Sequence, residues 1–279
     1  MKLKYFGTAA AEGFPSLFCE CETCEKARLL GGRNIRSRSQ ALVDDQLLID
    51  FPPDTLYHAY FMGLELHKIQ NIIITHAHED HLYEHDFTQR KEKFSYLRDE
   101  NSTLNIYGSK PTLDKISSII QLAGAYGQNR WALDEFEPYK PRLIGKHEVT
   151  ALKANHNINF LPYIFDISDS GKRLLYGNDT GIFIEETWKY LEKNKPFYNL
   201  ISLDCTGGIA KKMSSERHMN LERTCVVKDR LIDMGCADKN TIFVLHHFSH
   251  NGQIIYDDLV PIAEKNGFLV SYDGMEIEF

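Results

Sequence analysis

The segment Ile72-Ile73-Ile74-Thr75-His76-Ala77-His78-Glu79-Asp80-His81 restricts this chain more than any other. An apolar run leads straight into three histidines and an aspartate spaced His-x-His-x-Asp-His, so imidazole and carboxylate groups emerge together at a strand's C-terminal end. Unligated histidines have no reason to gather after a buried strand, whereas neutral imidazole and carboxylate are the usual ligands of zinc and its first-row neighbours. Alternating positions let His76 and His78 point to one ion while Asp80 and His81 reach a second. Four residues leave two ions under-coordinated, so further ligands are required at other strand ends. His156 follows the apolar Val149–Ala154, Asp179 follows Leu174-Leu175-Tyr176-Gly177-Asn178, and His246-His247 follow Ile242-Phe243-Val244-Leu245. Adjacent strand residues face opposite ways, so His246 turns away if His247 points toward the metals.

A chain of 279 residues, 43% hydrophobic and 25% charged with 9 prolines, is an ordinary globular protein and neither disordered nor low in complexity. No repeat or Gly/Ser-rich linker divides it, so residues 1–279 are expected to form a single domain. Short apolar strands are predicted at Lys2–Phe6, Ser39–Val43, Leu47–Asp50, Ile72–Thr75, Leu104–Tyr107, Val149–Ala154, Ile164–Ile167, Arg173–Gly177, Leu200–Asp204, Thr241–His246 and Phe268–Ser271. Helices are predicted at Thr23–Leu30, Thr55–Met62, Thr112–Ala125, Glu185–Asn194, Leu221–Met234 and Tyr256–Lys265. Buried strands separated by helices imply an α/β fold of sheets covered by helices. The stretch 82–150 reads least clearly and is expected to be an insertion near the site. With ten basic and ten acidic residues, it makes a poor clamp for nucleic acid.

The net charge of −7 gives no general attraction to phosphate backbones or anionic lipid. No apolar run reaches membrane-spanning or signal-peptide length, so a cytoplasmic protein with no membrane partner is expected. Three of the six cysteines crowd into Cys19, Cys21 and Cys24. Their thiolates suit one tetrahedral zinc but leave one position for a distant ligand, and a disulfide there would strand an odd thiol. Cys205, Cys225 and Cys236 lie singly in apolar surroundings and are expected in the core.

With these residues in place, the chain resembles the metallo-β-lactamase superfamily of binuclear hydrolases, whose signature is His-x-His-x-Asp-His followed by a distant His, Asp and His. The resemblance implies a four-layer αββα sandwich. It implies that His76, His78 and His156 hold one metal, that Asp80, His81 and His247 hold the other, and that Asp179 bridges both. Asp50, ending Leu47-Leu48-Ile49-Asp50, matches the buried aspartate that supports the metal loop. The Cys-x-Cys-x-x-Cys motif narrows the likeness to the phosphoribosyl cyclic phosphodiesterases of the carbon-phosphorus lyase pathway and, more remotely, to the pyrroloquinoline-quinone accessory proteins. Gly7-Thr8, Gly13-Phe14-Pro15, Asp204-Cys205, His247-Phe248-Ser249-His250 and Tyr272-Asp273-Gly274 agree with the phosphodiesterases. By that likeness His250 completes the cysteine zinc site and His218 contacts the substrate phosphate. Leu82-Tyr83-Glu84-His85-Asp86 departs from the family's glycine-containing turn.

The expected function is a metal-dependent phosphodiesterase that attacks a small phosphodiester, cyclic ones included, with hydroxide formed on two divalent cations. Zinc, manganese or iron all accept such ligands, while zinc suits the softer thiolates. Two other readings stand beside it: a nuclease of the tRNA 3′-processing type, and a non-catalytic metabolite-binding accessory protein of cofactor biosynthesis. The charge balance makes nucleic acid the weaker partner, and a homodimer is compatible with the chain.

Overall fold

Strands apolar on both faces need cover on both sides, and the computed structural model provides it with two facing seven-stranded sheets flanked by helices. The structure describes residues 1–125, 128–213 and 215–279. The first sheet holds β1 (Lys2–Gly7), β2 (Gln40–Val43), β3 (Leu47–Ile49), β4 (Asn71–Ile73), β5 (Leu104–Gly108) and β6 (Trp131–Glu135) side by side. The second holds β7 (Pro141–Ile144), β8 (His147–Lys153), β9 (Tyr163–Asp169), β10 (Lys172–Gly177), β11 (Leu200–Asp204), β12 (Ile242–His246) and β13 (Leu269–Val270) in sequence order. A last strand, β14 (Glu276–Glu278), returns to pair antiparallel with β1.

The helices are α1 (Glu22–Leu30), α2 (Thr55–Phe61), α3 (Lys110–Leu122), α4 (Glu185–Asn194), α5 (Leu221–Asp233) and α6 (Tyr256–Lys265). Tyr5, Val43, Ile49 and Ile73 meet Val149, Phe165, Leu174 and Val244 between the sheets. Trp188 of α4, Val227 of α5 and Leu259 of α6 cover the second sheet, and Ile116 and Ile120 of α3 cover the first. This is the expected αββα order. No helix among the described residues is long and apolar enough to cross a membrane.

Direction along the strands decides where chemistry can collect. β3, β4, β5 and β6 run parallel, as do β10, β11, β12 and β13. β8 is antiparallel to β9 and β9 to β10, so β8 points the same way as β10. The loops leaving β3, β4, β8, β10, β11 and β12 therefore share one edge of the sandwich, and every candidate ligand of the His-rich site sits in one of them.

The stretch 82–150, expected as an insertion, is woven into both sheets: it supplies β5, α3, β6, β7 and the start of β8. Residues 126 and 127 within it lie outside the described residues. The part before β5 contributes no strand among the described residues and begins with the 3-10 helix Glu84–Arg90. β6, β7 and β14 escaped the sequence reading because each is short, carries charge or proline, and shows no two-sided apolar run. Cys205 and Cys236 are buried as expected, while Cys225 is only partly so.

Beneath the shared edge, α2 is tied to the first sheet by a buried polar chain. Gln40 Nε2 donates to the Asp50 carbonyl and to Thr55 Oγ1, both at 3.0 Å, which leaves Gln40 Oε1 to accept from His58 Nδ1 at 2.6 Å. Burial pushes the His58 imidazole down to about 3. The unfolded chain takes up that proton below pH 6.5 and the native fold does not, so stability is expected to fall on acidification below 6.5. The loss is as much as about 1.4 kcal/mol per pH unit. His58→Gln should flatten this acid limb in urea midpoints measured between pH 7 and 5, and an unchanged slope would contradict the assignment.

Candidate metal centre

The loop after β4 is built to aim its histidines inward. Ile74 N still donates to Tyr107 O at 2.9 Å, and Tyr163 N donates to Thr75 O at 2.9 Å, so the chain stays between the sheets as it leaves the strand. A turn follows, with Leu82 N donating to His78 O at 2.8 Å. His76 Nε2 then lies 2.7 Å from His78 Nδ1, and His156 Nε2 lies 3.1 Å from the same atom. Asp179 Oδ2 stands 3.1 Å from both His76 Nε2 and His81 Nε2. His81 Nε2 is also 3.2 Å from Asp80 Oδ2 and 3.2 Å from His247 Nε2.

Two groups of converging ligand atoms result, each within 4.8 Å: His76, His78, His156 and Asp179, and Asp80, His81, Asp179 and His247. All seven expected residues are thus brought together, with Asp179 common to both groups. His246 turns away as expected, bonding Ser39 Oγ and Ser271 Oγ at 3.0 Å each and stacking on Tyr5.

Buried partners fix which ring nitrogen faces the centre. Asp50 accepts from Thr75 N at 2.8 Å, from Thr75 Oγ1 at 2.9 Å, and from His81 Nδ1 at 2.7 Å. His81 Nε2 is thereby the nitrogen left facing the centre. On the far side His247 Nδ1 meets Thr206 Oγ1 at 2.8 Å, and that hydroxyl donates to Asp204 Oδ2 at 2.9 Å. Asp204 also binds His218 Nδ1 at 3.2 Å and accepts from Met219 N at 2.9 Å. His218 Nδ1 lies 3.2 Å from Asp179 Oδ1 as well, and its Nε2 is left for the cavity.

Asp204 was noted in the sequence only as part of a family-like pair; its signal as a support is the one Asp50 shows, a carboxylate closing an apolar strand. Asp50, Asp179 and His247 all hold left-handed backbone, with φ of 67°, 52° and 62°. Such non-glycine conformations cost about 1–3 kcal/mol each and persist where the surroundings over-determine them.

The donor set fits cations. Burial pushes the His76 imidazole down to about 3 and lowers His78 and His156 too, so the first group presents neutral rings. Burial alone would raise the Asp179 carboxyl, but the facing His247 and His156 hold it well below the usual carboxylate range. Its Oδ1 is buried with no hydrogen-bond partner among the described residues. Neutral nitrogens of His76, His78 and His156 facing one another beside this carboxylate form a donor set that divalent cations would satisfy.

The cysteine loop closes in the same way. Cys19, Cys21, Cys24 and His250 converge within 4.8 Å, with His250 Nδ1 at 3.4 Å from Cys19 Sγ and 3.5 Å from Cys21 Sγ. Tetrahedral zinc with Zn–N and Zn–S bonds of about 2.0–2.3 Å separates its ligand atoms by roughly 3.3–3.8 Å, so the spacing fits. Burial pushes the Cys24 thiol up to about 12, a cost that ligation removes.

The His-rich centre floors a cavity of about 870 Å³ walled by Arg38, Pro53, Lys115, Phe160, Met213 and Asn251. The departing segment after the motif contributes indirectly, since Glu84 pairs with Lys115 at 3.1 Å.

A family model described as "Beta-lactamase superfamily domain" matches residues 46–248. A ribonuclease Z of Pyrococcus abyssi is 28% identical over 145 residues, covering 49% of this chain and 44% of that protein. This chain thus spans less than half the length of that curated relative. Among solved structures, a diphosphatase of the PhnP family has a TM-score of 0.74 at 18% identity, covering 100% of this chain and 97% of its own. Zn(2+)-bound PqqB from Methylobacterium extorquens has a TM-score of 0.74 at 17% identity with 100% of both chains covered. The short form of human tRNase Z has a TM-score of 0.68 at 17% identity, covering 100% and 99%. At these identities the structural likenesses show the fold.

Thr206→Val removes the hydroxyl between His247 and Asp204 while keeping its shape. It should weaken metal binding at the group containing His247 by about 10- to 100-fold in chelator competition; unaltered affinity would show that Thr206 does not orient the ring. His250→Ala should release one zinc per chain by elemental analysis while the His-rich centre keeps its metals.

Proposed function

The chain belongs to the beta-lactamase superfamily, whose members are generally metal-dependent hydrolases, and from this premise we propose that it is a binuclear phosphodiesterase acting on a small phosphodiester, cyclic ones included. One observation carries the reading. Asp179 is shared by both ligand groups, and His218 faces the same carboxylate from the cavity side.

In this reading His76, His78, His156 and Asp179 hold one divalent cation, and Asp80, His81, His247 and Asp179 hold the second. Cys19, Cys21, Cys24 and His250 hold a structural zinc. Zinc or manganese suits the paired site, with iron a third option for the same ligands. Two bound cations supply Lewis acidity toward phosphoryl oxygen and a water acidic enough to serve as the nucleophile.

The chain's own contribution is orientation and charge. Asp50 and Thr206 hold His81 and His247 in the tautomers that leave Nε2 free. Burial opposes a charge on His218, but the Asp204 hydrogen bond and the Asp179 charge raise it to about 9. Its Nδ1–H is engaged by Asp204, so its Nε2–H is available to bind a phosphoryl oxygen or to protonate the leaving alkoxide. Asp204 keeps the ring in place after the proton has gone.

The 28% identity to a ribonuclease Z favours a second reading, cleavage of tRNA precursors. The wall of the metal-centre cavity speaks for a small substrate: Arg38, Lys115 and Lys212 are offset by Glu12, Glu79 and the centre's own carboxylates, so this wall carries no excess of positive charge.

The test is turnover of 2′,3′-cyclic nucleotides, bis(p-nitrophenyl) phosphate and precursor tRNA by metal-loaded protein. Diester hydrolysis without cleavage of precursor is expected. His218→Ala should lower kcat by about 10²- to 10³-fold with metal content unchanged; loss of metal would instead make it a ligand. Asp80→Ala should abolish turnover, and wild-type rates in that variant would reject the two-metal reading.

A further inference from the structure

A second cavity, of about 750 Å³, opens beside the metal-centre cavity and shares Glu12 and Arg38 with it. Four of the chain's twelve arginines fall within residues 28–38, and all four line this cavity. Such a gathering of cations in a protein of net charge −7 calls for a counter-charge. Three carboxylates, Glu12, Asp54 and Asp273, share the wall with them. Of the four, Arg38 alone has a carboxylate within 4.0 Å among the described residues, Asp54 at 3.4 Å.

Arg28 donates to the carbonyls of Cys19 and Ser16, each at 2.7 Å. Arg33 donates to the Tyr256 hydroxyl at 3.2 Å and lies 3.9 Å above the Tyr272 ring. Arg36 is 4% exposed; it donates to Thr8 Oγ1 at 2.8 Å and to Ser271 O at 2.6 Å, and its buried Nη2 has no partner. Its direct partners are neutral oxygens, with the Asp273 carboxylate one hydroxyl away through Thr8 Oγ1, so Nη2 is the donor left over at the cavity it lines.

The carboxylates on the same wall are already engaged. Asp273 accepts from Ser37 N, Ser37 Oγ and Thr8 Oγ1 at 2.6, 2.7 and 2.7 Å. Asp54 accepts from Arg38 N at 3.0 Å, and Glu12 accepts from the Ser249 hydroxyl. Tyr57, half exposed, and Tyr272 add aromatic surface to the wall.

We propose that this cavity is a second binding site, for a phosphate monoester carried on a nucleotide-sized molecule, with Arg33, Arg36 and Arg38 taking the anion and the tyrosines flanking its body. Such a group can arrive as the far end of the molecule hydrolysed at the metal centre or as a separate ligand. The first source rests on the phosphodiesterase reading; binding itself does not.

Adenosine 5′-monophosphate serves as the probe, titrated calorimetrically into the metal-loaded full chain with adenosine as the uncharged control. Adenosine should bind at least tenfold more weakly than the monophosphate. Arg33→Glu, at an exposed position that leaves folding intact, should weaken the monophosphate at least tenfold while bis(p-nitrophenyl) phosphate turnover stays at the wild-type rate. Arg36→Met should act in the same direction. Competitive inhibition of that turnover by the monophosphate assigns the site to the far end of the substrate, and binding without competition assigns it to a separate ligand. No binding, equal binding of adenosine, or equal affinity in Arg33→Glu would overturn the proposal. Arg33-dependent binding by a protein that hydrolyses no diester would sink the phosphodiesterase reading and leave this site standing.

Discussion

Lone pairs converging on the Asp179 carboxylate are the constraint on which the rest of this structure depends. Three buried imidazoles, those of His76, His81 and His247, two half-buried ones, His78 and His156, and two buried carboxylates gather at one edge of the sandwich, where an unmatched buried polar atom costs about 1–3 kcal/mol and an unmatched charge more. Asp179 Oδ1, though 3.2 Å from His218 Nδ1, has no contact with hydrogen-bond geometry among the described residues. Such a donor set suits cations, and the metal-dependent chemistry general in the family rests on the same electrostatics.

The scaffold carries that strain by spreading its supports over both sheets. Asp50 closes β3 and holds His81; Asp204 closes β11 and, through Thr206, holds His247. These two carboxylates are fully buried, and each is engaged by a backbone N–H as well as a side chain, so their positions are set by the strands rather than by solvent. The left-handed residues Asp50, Asp179 and His247 sit where a strand must turn sharply to present a side chain. Their conformational cost is local, while the packing that enforces it runs the length of the interface between the sheets.

The cysteine cluster and the arginine-lined cavity occupy the same side of the molecule. His250 lies three residues beyond His247, and Arg36 stacks on Phe248 at 4.0 Å. One loop therefore serves the His-rich centre, the cysteine site and the arginine cluster in turn, which makes its geometry the common element among them.

Much of this was readable in advance. The His-x-His-x-Asp-His run, the aspartates and histidines just beyond apolar strands, and the cysteine triplet are patterns of near neighbours, and the strands and helices that bear them were largely recognisable for the same reason. β6, β7 and β14 were not, because edge strands owe their state to a partner rather than to their own pattern. The weak reading of 82–150 had the same origin. What the chain's order determined by itself was which side chains are able to bind metal and at which strand ends they stand. The tertiary fold alone decided that they meet: His81 and His247, 166 residues apart, face each other at 3.2 Å only because parallel strands of two stacked sheets end at one edge. It also decided that Asp204 is a support and that four arginines share a cavity, since both depend on distances across the fold that no local spacing encodes.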